Sequence, residues 1–190
     1  MRINLIFAVI LALGLSFSMT GQANALIGET DVTVATGGGG FFSGTSTRKT
    51  VRYETQHAPG TIVVSTEDRK LYLVQENGRA ISYSVGVGRP GFQWGGNMRI
   101  TRKAEWPGWT PPAQMRARQP YLPAFVPGGI NNPLGARALY LGSSLYRIHG
   151  TIEAETIGTA VSSGCIRMLN KDVEDLYERV PVGTRVVVQR

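Results

Sequence analysis

Three short apolar segments, separated only by tight turns, constrain the fold more than any other feature of the sequence. Thr61–Ser65 and Lys70–Gln75 are typical of strands, and Asn77-Gly78 favours a tight hairpin turn after the second. From Ile81 to Val87, apolar residues alternate with smaller or polar ones, which is the two-residue period of a half-buried strand. The sequence therefore predicts an antiparallel meander of three strands.

The C-terminal part of the chain adds more strands and one helix. Ala138–Leu141, Leu145–Ile148 and Thr184–Val188 predict strands. A helix is predicted from about Lys171 to Arg179, with Asn170 as its N-cap, because apolar residues recur there at helical spacing. This order predicts a mainly β domain, a β-sandwich or mixed sheet, with one short C-terminal helix.

A long proline-rich segment interrupts these elements. Glu105–Gly135 holds seven of the ten prolines together with Trp106 and Trp109. Proline fixes φ and removes an amide donor, so neither a helix nor a central strand is expected there. We predict a long Pro-rich loop that forms a lid or a substrate wall; a mere packing cover is the alternative.

Composition excludes several classes of protein. The chain has 190 residues, room for one ordinary domain, with one Cys and two His. One Cys excludes an internal disulfide framework, and the two His do not complete the common Cys/His zinc clusters. The net charge of +7 attracts anions in general, but no nucleic-acid motif accompanies it. We expect no zinc site of this kind and no nucleic-acid partner.

The N-terminal 25 residues have the pattern of a secretory signal peptide. Arg2 precedes an apolar run from Leu5 to Phe17, and Ala23-Asn24-Ala25 forms a cleavage site. The run is short for a membrane span, which needs roughly 20 residues. We therefore predict export to the periplasm, cleavage after Ala25 and no stable membrane span afterwards; an uncleaved anchor is the alternative.

The next segment separates this signal from the folded domain. Residues 26–56 include Gly37–Gly40 and Ser43–Thr47 and have little apolar periodicity, as flexible linkers do. We predict a Gly/Ser-rich linker over residues 26–56 and a folded domain over residues 57–190.

The lone cysteine is the main candidate for chemistry. An unpaired thiol in an exported protein is a liability unless it is buried or used. His149 lies sixteen residues before Cys165, at the end of a predicted strand, whereas His57 lies at the start of the domain. An imidazole near the thiol takes its proton and makes it nucleophilic. The group that orients the ring is Glu153, Glu155 or the Gly150 carbonyl.

The residues around Cys165 suggest further roles. Backbone amides at Gly164 and Cys165 are candidates for stabilising an oxyanion. Ser162 and Ser163 are also candidates for contacting the substrate or the oxyanion, and they are expected to form hydrogen bonds in the loop rather than act as nucleophiles. Arg167 either binds a substrate carboxylate or forms an ion pair that fixes the loop. Arg147 is expected on a solvated face.

Taken together, these residues resemble a known family. Ile148-His149-Gly150-Thr151 followed by Ser162-Ser163-Gly164-Cys165-Ile166-Arg167-Met168 is similar to the L,D-transpeptidase (YkuD-type) catalytic domain. The resemblance covers about residues 57–190. It implies that Cys165 is the nucleophile, His149 its base and Gly150 the carbonyl that holds the imidazole. The family has a second His immediately before Gly-Cys, where this chain has Ser163.

The resemblance also implies an activity. A periplasmic cysteine L,D-transpeptidase acts on peptidoglycan stem peptides through a Cys thioester, releases D-alanine and forms 3→3 cross-links. Such an enzyme is expected to need no cofactor and no metal. Water as acceptor would make an L,D-carboxypeptidase or endopeptidase, and a protein lysine as acceptor would make a wall-anchoring enzyme. A non-catalytic peptidoglycan-binding module of the same fold is a further alternative, which the serine at position 163 favours.

Overall fold

The computed structural model describes residues 45–190, which form a nine-stranded sheet, a two-stranded sheet and two α-helices. Helix α1 spans Ala113–Arg118 and helix α2 spans Asn170–Arg179, with a single 3₁₀ turn at Ala154–Thr156. The strands are β1 (Lys49–Arg52), β2 (Ile62–Ser65), β3 (Lys70–Val74), β4 (Arg79–Ser84), β5 (Val87–Gly88), β6 (Gly96–Glu105), β7 (Arg137–Leu141), β8 (Arg147–His149), β9 (Ala160–Ser162), β10 (Ile166–Arg167) and β11 (Arg185–Gln189).

The large sheet is mixed. Its strand order is β1-β4-β3-β2-β11-β6-β7-β8-β10, and β5 pairs with β9 in the small sheet. Strand β11 runs parallel to β2, and β10 runs parallel to β8, whereas the other pairs in the large sheet are antiparallel. The predicted mainly β, mixed-sheet domain is confirmed.

The predicted meander is present as β2, β3 and β4. Adjacent strands pair antiparallel, with Leu71 opposite both Val64 and Tyr83. Asn77 and Gly78 have φ values of 59° and 65°. Asparagine and glycine are the residues that adopt positive φ most readily, so this pair lets the chain reverse between β3 and β4.

Strand β6 connects the two halves of the sheet and was not predicted. Its first residues pair with β11, and the part from Ile100 to Glu105 pairs with β7, with an irregularity between Ile100 and Arg102. Only Ile100 of its ten residues is buried. A strand with one buried side chain lacks the apolar alternation on which strand prediction depends.

One hydrophobic core joins the sheet to helix α2. Val173, Leu176 and Val180 on the helix are buried in the same cluster as Ile148 and Ile166 of β8 and β10. The helix therefore packs against the strands that carry His149 and that follow Cys165.

The predicted linker contains part of the fold. Strand β1 lies within residues 26–56 and pairs with β4 over four residues, so the boundary at residue 57 is too late. Sequence reasoning missed the strand because Val51 is its only apolar residue and the strand lies at the edge of the sheet. Residues 26–44 and the predicted signal peptide lie outside the described residues.

The Pro-rich segment also departs from the prediction. Glu105 is the last residue of β6, and the segment contains helix α1, so this part of the chain is not all loop and the described domain has more than one helix. Helix α1 forms because Ala113–Arg118 has no proline and consists of good helix formers, while Pro112 immediately precedes the first turn.

The start of helix α2 differs in detail. Asn170 is the first helical residue, Leu169 occupies the cap position and no side chain caps the helix. The Asn170 side chain is used elsewhere, since its Oδ1 accepts a hydrogen bond from the Ala136 amide at 3.0 Å. In the part of the chain from residue 45 onward, no helix is long and apolar enough to cross a membrane.

Candidate active site

The parallel pair β8–β10 brings the predicted site residues together. Ile166 lies opposite Ile148, and Arg167 lies opposite His149. Ile148 and Ile166 are fully buried in the core. Because side chains alternate along a strand, the residues flanking these isoleucines project to the other face of the pair. That face therefore carries Arg147, His149, Cys165 and Arg167.

This face opens into a cavity of about 380 Å³. Cys165 is half-buried and His149 is buried, and both line the cavity. The other lining residues are Phe92, Trp109, Pro112, Gln114, Met115, Arg118, Pro133, Leu134, Ser144, Leu145, Tyr146, Arg147, Ser162, Ser163 and Arg167.

The Pro-rich segment supplies one wall of the cavity. Trp109, Met115 and Arg118 lie on the segment and line the cavity opposite the β8–β10 face. Backbone hydrogen bonds join Trp109 and Val126 in both directions at 2.8 Å. The Asn132 Nδ2 donates to the carbonyls of Val126 and Pro127 at 3.1 and 2.9 Å. These contacts stabilise the fold of the segment itself.

The imidazole of His149 is oriented by the next residue. Its Nδ1 lies 2.5 Å from the Gly150 carbonyl oxygen. A carbonyl only accepts hydrogen bonds, so Nδ1 carries the ring proton and Nε2 carries the lone pair. Of the three orienting groups considered from the sequence, the backbone carbonyl makes the contact. Glu153 is instead paired with Arg167.

Burial keeps the His149 ring neutral. Burial is the largest cause that lowers its pKa, to about 3, and the positive charges of Arg167 and Arg147 act in the same direction. The carbonyls of Gly150 and Leu134 oppose this shift of the pKa because they accept hydrogen bonds from a protonated ring. At neutral pH the ring is therefore a base with a free lone pair.

The Cys165 thiol is also neutral at rest. Burial raises its pKa, while Arg147 and, to a smaller extent, Arg167 lower the pKa by favouring the thiolate. The Sγ donates to the Leu145 carbonyl oxygen at 3.7 Å. The resting pair is thus a thiol and an imidazole, and a thiolate–imidazolium pair forms only when the proton moves.

The loop before Cys165 is held by one serine. Ser162 is buried, and its Oγ donates to the Cys165 carbonyl at 2.7 Å and accepts from the Gly164 amide at 3.1 Å. This agrees with the expected hydrogen-bonding role of Ser162 in the loop. It also means that the Gly164 amide, a predicted oxyanion donor, is already engaged.

Gly164 is packed too tightly for a side chain. Its φ is +107°, and a Cβ there would lie 2.6 Å from Cε1 of Tyr146. The Tyr146 ring stacks on Trp94 with ring centroids 4.5 Å apart, and Trp94 Nε1 donates to the Gly164 carbonyl at 2.7 Å. Sequence reasoning missed Trp94 and Tyr146, which form a rigid aromatic support beneath the loop.

Ser163 stands where the family has a second His. Its Oγ accepts a hydrogen bond from Arg89 Nη1 at 3.1 Å, and the guanidinium carbon of Arg89 lies 4.0 Å from the centre of the Phe92 ring. Ser163 also lines the cavity. Its environment is that of a hydrogen-bonding loop residue, as expected.

Arg167 forms an ion pair. Its Nη1 lies 2.5 Å from Glu153 Oε2 and 3.4 Å from Thr156 Oγ1. Between the two roles considered for Arg167, the geometry favours the pair that fixes the loop between β8 and β10.

Arg147 does not lie on a solvated face. It is half-buried and lines the cavity, and its Nε is buried without a hydrogen-bond partner among residues 45–190. Arg147 and His149 are two residues apart on one strand, so their side chains lie on the same face of the sheet, and this spacing is visible in the sequence.

A half-buried thiol and a neutral, oriented imidazole that line one cavity define a thiol–imidazole site in a mixed β domain. Residues 59–188 match the model of the YkuD family, the L,D-transpeptidase catalytic domain. The chain belongs to this family. Its members are cysteine-dependent acyltransferases.

Known proteins agree with this assignment. The chain is 42% identical over 135 residues to the probable L,D-transpeptidase YbiS of Escherichia coli K12, an alignment that covers 67% of this chain and 43% of YbiS. The chain spans less than half the length of YbiS and of the similar relatives ErfK/SrfK and YcfS of the same organism.

Solved structures share the fold. L,D-transpeptidase 3 from Mycobacterium tuberculosis is 16% identical with a TM-score of 0.54, covering 68% of this chain and 60% of that one. A Brucella melitensis protein described as a probable carnitine operon oxidoreductase is 43% identical with a TM-score of 0.51, covering 75% of this chain and 92% of that one. The family assignment rests on the family model and on the relatives named as L,D-transpeptidases.

Proposed function

We propose that this chain is a periplasmic cysteine L,D-transpeptidase that forms 3→3 cross-links between peptidoglycan stem peptides. The observation that carries the proposal is the placement of Cys165 and His149 on one face of the β8–β10 pair, in one cavity. The family match supplies the substrate class. Residues 45–190 would hold the whole catalytic site, and the signal pattern of residues 1–25 supports export.

The first half of the reaction forms a thioester. Cys165 Sγ attacks the carbonyl carbon that precedes the terminal D-alanine of a tetrapeptide stem, and His149 Nε2 takes the thiol proton. The C–N bond of the tetrahedral intermediate then breaks, and Nε2 returns the proton to the leaving amine, so that D-alanine departs. The carbonyls of Gly150 and Leu134 stabilise the ring while it is protonated.

The developing oxyanion needs a hydrogen-bond donor near the sulfur. We assign this role to the Cys165 amide, because the Gly164 amide already donates to Ser162 Oγ. The hydrogen bond from Ser162 Oγ to the Cys165 carbonyl orients this peptide segment. Ser162 and Gly164 thus position the donor rather than contact the substrate.

The second half resolves the thioester. An amine of a neighbouring stem attacks the acyl carbon and gives a proton to His149 Nε2. The C–S bond then breaks and releases the Cys165 thiolate, which takes that proton back from Nε2. Water competes with the amine at this step. Trp109, Met115 and the rest of the Pro-rich wall shield the cavity and favour the amine.

Incubation of the purified protein with disaccharide-tetrapeptide, followed by mass spectrometry, tests the proposal. We expect a cross-linked dimer with release of D-alanine. Tripeptide alone would mean that water is the acceptor, and cross-linking to an added lysine-containing peptide would mean a wall-anchoring enzyme. Unchanged substrate would contradict the proposal and favour a binding module.

Two variants test the roles of the pair. Cys165→Ala should abolish every product, because no other described residue supplies a thiol. His149→Gln should lower kcat by about 100-fold or more, since an amide does not accept a proton at neutral pH. Product formation by Cys165→Ala would exclude the assigned nucleophile.

A further inference from the structure

The charged residues that line the catalytic cavity are all arginines. Its lining in the described chain includes Arg118, Arg147 and Arg167 and no Asp or Glu. Arg167 is neutralised by Glu153. Arg147 forms no ion pair with any residue from 45 to 190, and its Nε is buried without a partner. A guanidinium with an unused buried donor in a cavity suits an anionic ligand.

The strand register places this guanidinium beside the sulfur. Since Ile166 pairs with Ile148, continuing the register by one residue sets Cys165 opposite Arg147. Neighbouring strands are about 5 Å apart, so Arg147 and Cys165 are adjacent across the pair. The charge of Arg147 acts on the thiol more strongly than that of Arg167.

Side chains of the neighbouring strands β6 and β7 form a row that ends at Arg147. Across the sheet, Arg102 of β6 lies opposite Tyr140 of β7, which lies opposite Arg147 of β8. The guanidinium carbons of Arg102 and Arg147 lie 3.6 and 5.4 Å from the centre of the Tyr140 ring. The aromatic ring packs beside the guanidinium without neutralising its charge, which leaves the charge available to a ligand.

The position of a substrate carboxylate fits this geometry. In a tetrapeptide stem, the terminal carboxylate carbon lies about 4 Å from the carbonyl carbon that the thiolate attacks. A carboxylate at that distance from the sulfur would lie next to Arg147. In a pentapeptide stem the carboxylate is one residue farther away and would lie beyond reach.

We propose that Arg147 binds the terminal carboxylate of the D-amino acid that the reaction expels. This inference rests on the proposed function for its substrate and makes Arg147 a specificity residue. It predicts that the enzyme selects donors whose free carboxylate lies one residue beyond the scissile bond.

Alkylation of Cys165 tests the carboxylate site without any turnover. Iodoacetate and iodoacetamide have the same shape near the reactive carbon and differ in charge. Both react with the same thiolate, so the ratio of their alkylation rates does not depend on the pKa of Cys165. We expect this ratio to be at least about fivefold higher for the protein than for glutathione, a binding advantage typical of one ion pair.

Variants then locate the effect. Arg147→Met should remove most of the advantage of iodoacetate, and Arg147→Lys should restore part of it. Arg118→Met removes a charge from the Pro-rich wall of the same cavity and should change the ratio by less than about twofold. An equal loss in Arg147→Met and Arg118→Met, or a protein ratio equal to that of glutathione, would overturn the assignment.

Substrate kinetics provide the second readout. For the wild type, a tetrapeptide stem with a C-terminal carboxamide should have a kcat/KM at least about fivefold below that of the acid, and Arg147→Met should remove this difference. Equal kcat/KM values for acid and amide in the wild type would refute the carboxylate site. Absence of all turnover, with the alkylation ratio still high, would refute the proposed function and leave the carboxylate site standing.

Discussion

At the scale of single residues, Gly164 has two independent reasons to lack a side chain. Its φ of +107° is strained for any L-residue, and the Tyr146 ring occupies the space of a Cβ. Gly158 has a comparable φ of +83° with nothing within 4 Å of a Cβ. A comparison of the two glycines therefore separates the effect of backbone strain from that of steric contact with Tyr146.

Replacing each glycine with alanine should give different results. Gly158→Ala should cost about 1 kcal/mol of unfolding free energy from strain alone. Gly164→Ala should cost at least ~2 kcal/mol and lower kcat by about 100-fold, because the displaced loop carries Cys165. Urea denaturation and product assays measure both quantities. Equal effects of the two substitutions would contradict a specific role for the Tyr146 contact.

The low pKa of His149 makes a prediction about pH. Neutral imidazole is the base, and it is lost only when pH falls below the pKa of the ring, which burial lowers to about 3. We expect kcat/KM to stay nearly constant as pH falls through the ordinary histidine value of about 6.5 and to decline only near pH 3. Steady-state kinetics across this range measure the acid limb.

The Arg147→Met variant supplies the control for this pH profile. Its removal of a positive charge should raise the pKa of His149, so the acid limb should move to higher pH. Asp175 should stay ionised over this range, because hydrogen bonds from Arg179 and Tyr83 outweigh burial and hold its pKa at about 2. An acid limb near pH 6.5 in the folded wild type would contradict the buried, neutral ring.

At the scale of elements, helix α2 fixes the N-terminal edge of the sheet. Asp172 is fully buried in its first turn, and its Oδ2 accepts hydrogen bonds from the Thr47 amide at 3.1 Å and from Thr47 Oγ1 at 2.7 Å. Its Oδ1 accepts from Ser46 Oγ at 2.5 Å. One carboxylate thus anchors the segment that leads into β1.

The Asp172→Asn substitution tests this anchor. An amide nitrogen in place of one oxygen faces donors without an acceptor, so the unfolding free energy should fall by about 2 kcal/mol. Urea denaturation measures the loss. Glu178→Gln on the exposed face of the same helix is the control and should change stability by less than ~0.5 kcal/mol. Equal losses from the two substitutions would contradict the anchor.

At the scale of the whole molecule, the sequence predicts the elements that have apolar alternation and misses those that lack it. The meander and helix α2 have apolar residues at regular spacing, whereas β1 has one apolar side chain and the ten residues of β6 have three, of which one is buried. Their positions depend on pairing with distant strands, which no local pattern records.

The candidate site shows the same division. Cys165 and His149 stand out by residue type and by the family motif, and their placement in one cavity follows from the sheet. Arg147 is wrongly assigned to a solvated face because surface arginines are common, and its role becomes clear only from its register beside Cys165. Trp94 and Tyr146 escape notice because their roles depend on mutual stacking.

The parallel pairing of β8 with β10 also limits where the length of the chain can vary. Both ends of the excursion from Gly150 to Gly164 are fixed by that pairing, so insertions in its middle, away from Gly150, Ser162 and Gly164, would leave the thiol and the ring in place. A slip of the pairing by a single residue, in contrast, would turn Cys165 inward and expose Ile166. Related sequences should therefore differ in length between His149 and Cys165, and should keep Ile148 next to His149 and Ile166 next to Cys165.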